Sequence, residues 1–191
     1  MTAIGVIPAR FGSTRFPGKP LKLIAGKPLL VWVIEAARKS QLLSDVIVAT
    51  DHEEIYALAE KCGVNAQMTD SDLPSGTDRV WAVAEGSGAD IILNIQGDEP
   101  LLKPELLDTL VSVLSKRPDV GMATLARTFL SKEDFESRNT AKVILNNRNE
   151  AIYFSRLPIP FSRLTYDEVG DASDAVLKHI GIYGFRRNFL Q

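Results

Sequence analysis

Short apolar runs that alternate with helical segments limit the folds open to this chain more than any other feature. The runs are Ala3–Pro8, Val46–Ala49, Val64–Met68, Ile91–Ile95 and Val120–Ala126. Segments of this length suit strands, and a run such as Ile91–Ile95, apolar on both faces, suits a strand buried on both faces. Between the runs lie helical patterns. Pro28 can open a helix to Lys39, because its missing N–H would be unpaired there anyway. That helix carries Leu29, Leu30, Val31, Trp32, Val33 and Ile34 and should be largely buried. Asp51 and Glu54 have capping-box spacing for a helix through Lys61. Further helices are predicted at Thr77–Glu85 and Pro104–Lys116. Strands and helices in this alternation imply βαβ units and a mostly parallel sheet covered on both sides.

The pattern changes after about Thr128. Val143–Leu145 and Ala151–Phe154 read as a hairpin joined by the polar turn Asn146–Asn149. Pro158, Pro160 and the segment Ser162–Asp174 read as an irregular excursion, and Ile180–Phe185 as a last strand. Arg186–Gln191 reads as the opening of a helix, which suggests a fragment shortened at its C-terminal end. The expected organisation is an α/β core over 1–128 and a smaller β-rich portion over 129–191, integrated into a single domain.

Composition removes several function classes. A chain of 191 residues can bury about 70% of its unfolded surface, enough for a core without staples. The net charge of −2 speaks against a polyanion-binding face, so no nucleic-acid partner is expected. One cysteine, Cys62, allows no internal disulfide and fits a reducing compartment. It reads as a small buried apolar residue. No apolar run approaches the ~20 residues of a membrane span, and no signal peptide is visible, so a cytoplasmic location without membrane attachment is expected.

Three segments carry chemistry. The loop Pro8-Ala9-Arg10-Phe11-Gly12-Ser13-Thr14-Arg15-Phe16-Pro17-Gly18-Lys19-Pro20 follows the first strand, at the sheet edge where ligands bind in open α/β folds. Arg10, Arg15 and Lys19 bring three cations to it, and Gly12 and Gly18 allow close backbone approach to an anion. The spacing matches neither a P-loop nor a dinucleotide fingerprint, so a phosphate cradle and a merely solvated basic loop both stay open. Asn94-Ile95-Gln96-Gly97-Asp98-Glu99-Pro100 follows the fourth strand on the same edge. Gly97 leaves room beside Asp98, whose carboxylate is either a Mg²⁺ ligand next to phosphates or a turn cap. Pro74-Ser75-Gly76-Thr77-Asp78-Arg79 enters a helix, where amides can read a base edge or Ser75 can act as a simple N-cap. In the second half, Ser155-Arg156 and the alternating His179, Gly181 and Tyr183 are the remaining candidates, whereas His52 reads as structural.

These residues resemble the CMP-KDO synthetase family, the 3-deoxy-manno-octulosonate cytidylyltransferases. The likeness runs along essentially the whole chain. It is carried by Ile7–Pro20, Val48–Asp51, Ser75–Arg79, Asn94–Pro100, Gly121–Leu125 and His179–Gly184. The last of these, with Tyr153-Phe154-Ser155-Arg156, favours 3-deoxy-D-manno-octulosonate (KDO) over sialic acid.

The resemblance implies a Rossmann-like, three-layer α/β/α nucleotidyltransferase fold. It implies an enzyme that transfers CMP from CTP to KDO, releases diphosphate and serves lipopolysaccharide synthesis. By position Arg10, Arg15 and Lys19 would contact the CTP phosphates, and together with Asp98 they form the catalytic set. Ala9, Ser75, Gly76 and Arg79 would lie around the cytidine. Asp98 would bind Mg²⁺. Gln96, Arg156, His179 and Tyr183 would line the sugar site, with Arg156 facing the sugar carboxylate. Homodimers paired through the second portion are implied as well. Family members continue past the position of Gln191 and there carry a second metal-binding aspartate and an acidic sugar contact. The alternatives are a cytidylyltransferase for a sialic-acid-like or 8-amino-KDO sugar, and a non-catalytic CTP-binding domain.

Overall fold

The computed structural model of the protein describes residues 1–12, 16–159 and 176–191. Arg15 and the expected excursion over 160–174 lie outside the described residues. In chain order the elements are β1 (Ala3–Ala9), a 3-10 turn (Lys19–Leu21), β2 (Leu23–Ile24), β3 (Lys27–Pro28), α1 (Leu29–Ala37), β4 (Asp45–Thr50), α2 (Glu53–Lys61), β5 (Asn65–Met68), α3 (Gly76–Ala84), β6 (Ile91–Asn94), α4 (Pro104–Lys116) and β7 (Met122–Arg127). They continue with α5 (Lys132–Glu136), β8 (Lys142–Leu145), β9 (Ala151–Ser155), β10 (Val176–Arg186) and α6 (Arg187–Leu190).

The chain forms two compact units, Met1–Ala123 with Ile182–Gln191, and Thr124–Gly181. The expected boundary at 128 therefore sits a few residues too late, and the end of the chain does not stay in the second portion. Residues Tyr183–Arg186 of β10 pair antiparallel with β6, Tyr183 opposite Asn94 and Arg186 opposite Ile91. A Cβ at Gly184 would stand 2.9 Å from both Leu114 Cδ1 and Leu93 Cδ2, so glycine is what lets this strand lie under α4. Apolar patterning identifies a strand there but cannot name its neighbour.

In the first unit β5, β4, β1 and β6 are parallel neighbours in that order, and β10 joins beyond β6. The pleat of β1 sends Ile4 and Val6 into a cluster with Ala49, Ile92 and the α3 residues Val80, Val83 and Ala84. Gly5 points to the opposite face, where a Cβ would meet Leu43 and Ile95. On that face α4 buries Leu107, Leu110 and Leu114, at most 1% exposed. The result is three layers. No helix of the described residues is long and apolar enough to cross a membrane.

Three local expectations changed. The Asp51–Glu54 capping box does not form: His52 occupies the N-cap of α2 without a side-chain cap, and Asp51 bonds elsewhere. The short hairpin of β2 and β3 was not foreseen; Ala25 and Gly26 turn it at φ 49° and 78°. In α1, Val31 and Trp32 are only half-buried, and the Trp32 indole donates to the Ile24 carbonyl at 3.0 Å.

In the second unit the predicted hairpin is present, β8 pairing antiparallel with β9. Residues Val176–Lys178 of β10 pair with β8 on its other side. The short α5, unforeseen, is capped by Ser131, whose hydroxyl accepts from Asp134 N–H at 3.2 Å. Lys142 is fully buried and donates to the carbonyls of Ser137, Thr140 and Arg156 at 2.6, 3.0 and 3.2 Å. Burial pushes its ammonium pKa down, while the charge of Asp134 opposes that shift.

Candidate active site

The chain runs from β1 outward to β4 and β5, then returns to β6 on the other side of β1. The crevice at the carboxyl ends of β1 and β6 is thus a topological switch point, the usual ligand position in open α/β sheets. The turn after β6 and the loop after β1 meet there. A Cβ on Gly97 would lie 3.2 Å from the Pro8 carbonyl oxygen and 3.4 Å from Ile7 Cγ2. Gly97 therefore makes room for the backbone of β1, a packing reason for glycine that the sequence did not show.

Across the crevice Lys19 Nζ is ion-paired with Asp98 Oδ2, and the two side chains are 40% and 46% exposed. A pair so open to water stabilises by about 1 kcal/mol at most, so its members can exchange partners. Lys19 can turn to an anion and Asp98 to a cation. Among the described residues no group of three or more His, Cys, Asp or Glu is arranged to hold a metal. One carboxylate beside a basic loop suits Mg²⁺, which takes one or two carboxylates and fills its remaining positions with phosphate oxygens and water.

The rest of the loop is shaped by backbone contacts. Arg10 is exposed just beyond β1, and Ala9 is buried as the last residue of that strand, opposite Thr50. Gly18 is left-handed at φ 66°, and its N–H donates to the Phe11 carbonyl at 2.9 Å. It shapes the turn and does not offer that N–H to an anion. A Cβ on Gly12 would meet nothing within 4 Å.

Ser75 is the N-cap of α3, its hydroxyl accepting from Thr77 N–H and Asp78 N–H at 3.2 Å each. It and Gly76 are exposed at the start of the helix. Arg79, by contrast, is 2% exposed. Its Nη2 donates to Asp51 Oδ2 at 3.0 Å and its Nη1 to the Thr69 hydroxyl. Gln96 Nε2 lies 3.5 Å from Asn94 Oδ1, and Asn94 Nδ2 lies 3.4 Å from the Thr77 hydroxyl. A sparse polar line thus joins the start of α3 to the Asp98 turn. Tyr183, half-buried on β10, stands opposite Asn94.

Two sequence candidates sit in the second unit. His179 Nε2 is 2.9 Å from the Thr124 hydroxyl, and its ring meets Phe154 edge-on at 5.1 Å. Burial lowers its pKa, and the nearby Arg156 charge lowers it further, so the imidazole is neutral at pH 7. Arg156 is exposed and donates to the Asn139 carbonyl at 2.8 Å.

The structure brings Lys19, Asp98 and Gln96 to one edge of the first unit with Ala9, Ser75 and Gly76. It also shows contacts that sequence reading missed: Asp51 with Phe11 and Arg79, and Thr69 with Arg79. Local spacing favoured a cap for Asp51, and its true partners are distant in the chain. His52, read as structural, stacks its ring on Phe11 at 4.0 Å.

The cytidylyltransferase family profile matches residues 4–191. A 3-deoxy-manno-octulosonate cytidylyltransferase of Bdellovibrio bacteriovorus is 55% identical over 191 residues, covering 100% of this chain and 76% of that protein. One from Geobacter sulfurreducens is 43% identical over 195 residues, covering 100% of this chain and 78% of its own length. Among solved structures, a CMP:2-keto-3-deoxy-manno-octonic acid synthetase complexed with CTP superposes with a TM-score of 0.90 at 41% identity, covering 100% of this chain and 76% of that one. The chain belongs to the cytidylyltransferase family of nucleotidyltransferases and, within it, to the 3-deoxy-manno-octulosonate cytidylyltransferases.

Proposed function

We propose that this protein activates KDO: CTP and 3-deoxy-D-manno-octulosonate give CMP-KDO and diphosphate, a supply step for lipopolysaccharide. The observation that carries the reading is the exposed Lys19–Asp98 pair at the β1/β6 switch point. It sets a cation and an anion at the place where a metal-bound triphosphate would need both.

In this reading the sugar hydroxyl attacks the α-phosphorus in line and diphosphate leaves, chemistry that depends on positioning and charge neutralisation. Lys19 leaves Asp98 for the phosphates and, with Arg10 and Arg15, balances the charge growing on the leaving diphosphate. Asp98 would hold Mg²⁺, which when bound would draw charge from phosphate oxygens and acidify the attacking hydroxyl. Ala9, Ser75 and Gly76 would contact the cytidine, Ser75 and Gly76 standing exposed at the start of α3. Arg79, with its guanidinium held by Asp51 and Thr69, would serve the cytidine site from below rather than by touching the base. Gln96 and Tyr183 would face the sugar, and the family resemblance assigns Arg156 and His179 to it as well.

The same reading places the protein in the cytoplasm as a homodimer. The dimer is supported by β9, which exposes Ile152, Tyr153 and Phe154 at 63%, 58% and 47%. Such an apolar row on a strand invites a partner. Diphosphate release from CTP with a panel of 2-keto-3-deoxy sugar acids tests the reaction, and sedimentation tests the dimer. KDO should be the best acceptor. A preference for sialic-acid-like or 8-amino sugars would overturn the substrate assignment, and a monomer at micromolar concentration would overturn the dimer.

A further inference from the structure

We propose that Asp51 is a positioning residue that holds the loop after β1 in register with the start of α3, fixing the separation at which one nucleotide's phosphates and base are gripped. The inference rests on the CTP reading above.

Asp51 follows β4 directly, next to the end of β1, where Ala9 pairs with Thr50. Its carboxylate divides between two distant segments. Oδ1 accepts the Phe11 N–H at 3.1 Å, and Oδ2 accepts from Arg79 Nη2 at 3.0 Å. The Arg79 and Asp51 side chains are 3% and 12% exposed, so this pair is shielded from water, unlike Lys19–Asp98.

Both arms of the link are stiff. On the loop side, the Phe11 ring is stacked on His52, its planes 10° apart, and the Phe11 carbonyl accepts the Gly18 N–H at 2.9 Å. On the helix side, Arg79 Nη1 donates to the Thr69 hydroxyl. Thr69 is itself tied to the Thr50 carbonyl through its N–H at 2.8 Å and its hydroxyl at 3.0 Å. Arg79 lies one turn inside α3, whose capped start presents Ser75 and Gly76. Gly76 in turn sits against β1: a Cβ there would stand 3.6 Å from Pro8 Cγ. The path from loop to helix thus runs through short, largely shielded contacts.

A buried ion pair is a poor source of net stability and a good source of fixed geometry, because any other arrangement leaves a charge unpaired. Gripping two ends of one ligand gains over gripping either end alone only when the two sites hold the right spacing. In a reacting site a misplacement of about 1 Å can cost about 100-fold in rate, and a ligand held at both ends is expected to be of similar sensitivity.

The test compares CTP with its two halves. Calorimetry on the whole chain measures CTP, cytidine and pyrophosphate against the wild type, Asp51→Asn and Thr69→Val. The Asn keeps an acceptor for Phe11 N–H but removes the charge facing Arg79. Thr69→Val removes the second acceptor of Arg79 and the hydroxyl bond to the Thr50 carbonyl, while the Thr69 N–H bond to that carbonyl stays. For Asp51→Asn, CTP affinity should fall by about 10- to 100-fold while cytidine and pyrophosphate each change by less than about 3-fold. Thr69→Val should act in the same direction by about 3- to 10-fold, and it carries the test if Asp51→Asn does not fold. Unchanged CTP affinity in the folded variants would overturn the proposal. So would a parallel loss for CTP and both halves, since a general structural role would weaken all three. A wild-type chain that does not bind CTP would overturn the nucleotide reading and this proposal with it.

Discussion

Replacing Asp98 with Asn separates catalysis from stability in this site. The carboxylate has one described ion-pair partner, Lys19, across a gap open to solvent, with side-chain exposures of 46% and 40%. Solvent screening limits that pair to about 1 kcal/mol at most, so the unfolding free energy should shift by no more than that. Removing a group that supports charge in a phosphoryl-transfer transition state costs about 2.7–4 kcal/mol, or about 100- to 1,000-fold in rate. Asn keeps the shape of the turn, so Gly97 can still rest against the Pro8 carbonyl at its present spacing. Diphosphate release measured across a Mg²⁺ titration, with urea unfolding on the same samples, reads both quantities. Turnover within about 3-fold of wild type with the same Mg²⁺ dependence would refute the metal assignment. A stability loss of several kcal/mol matching the activity loss would instead make Asp98 a structural cap.

Two further outcomes follow from the fold. Gly184→Ala would drive a Cβ to 2.9 Å from both Leu114 Cδ1 and Leu93 Cδ2, and should destabilise by about 1–3 kcal/mol in chemical denaturation. Burial depresses the His179 pKa, so the unfolded chain binds the extra proton more readily. The stability that depends on neutral His179 is complete above the unfolded value near 6.5 and is lost as pH falls toward the lower folded value. Unfolding followed from pH 7.5 to 5 should show this loss, His179→Gln should flatten it, and an unchanged slope would overturn the assignment.

Much of the fold was legible in the chain. The apolar runs, the Pro104 start of α4 and the β8–β9 hairpin lie within a few residues of their expected positions, because burial on both faces and Pro geometry act locally. The placement of Lys19 and Asp98 at one edge also followed from sequence, since parallel strands put every post-strand loop on the same side. Asp51 marks where that reading stops. Its spacing to Glu54 made a cap plausible, and a cap competes only with groups a few residues away. In the fold it is bound by Phe11 and Arg79, 40 residues before and 28 residues after it. The return of β10 to β6 is of the same kind. The sequence by itself determined which segments form strands and helices, and which charges stand at the strand ends. Only the tertiary structure decided which distant partner each charge takes, because that choice depends on sheet order and on the desolvation of the whole layer, neither of which any local pattern encodes.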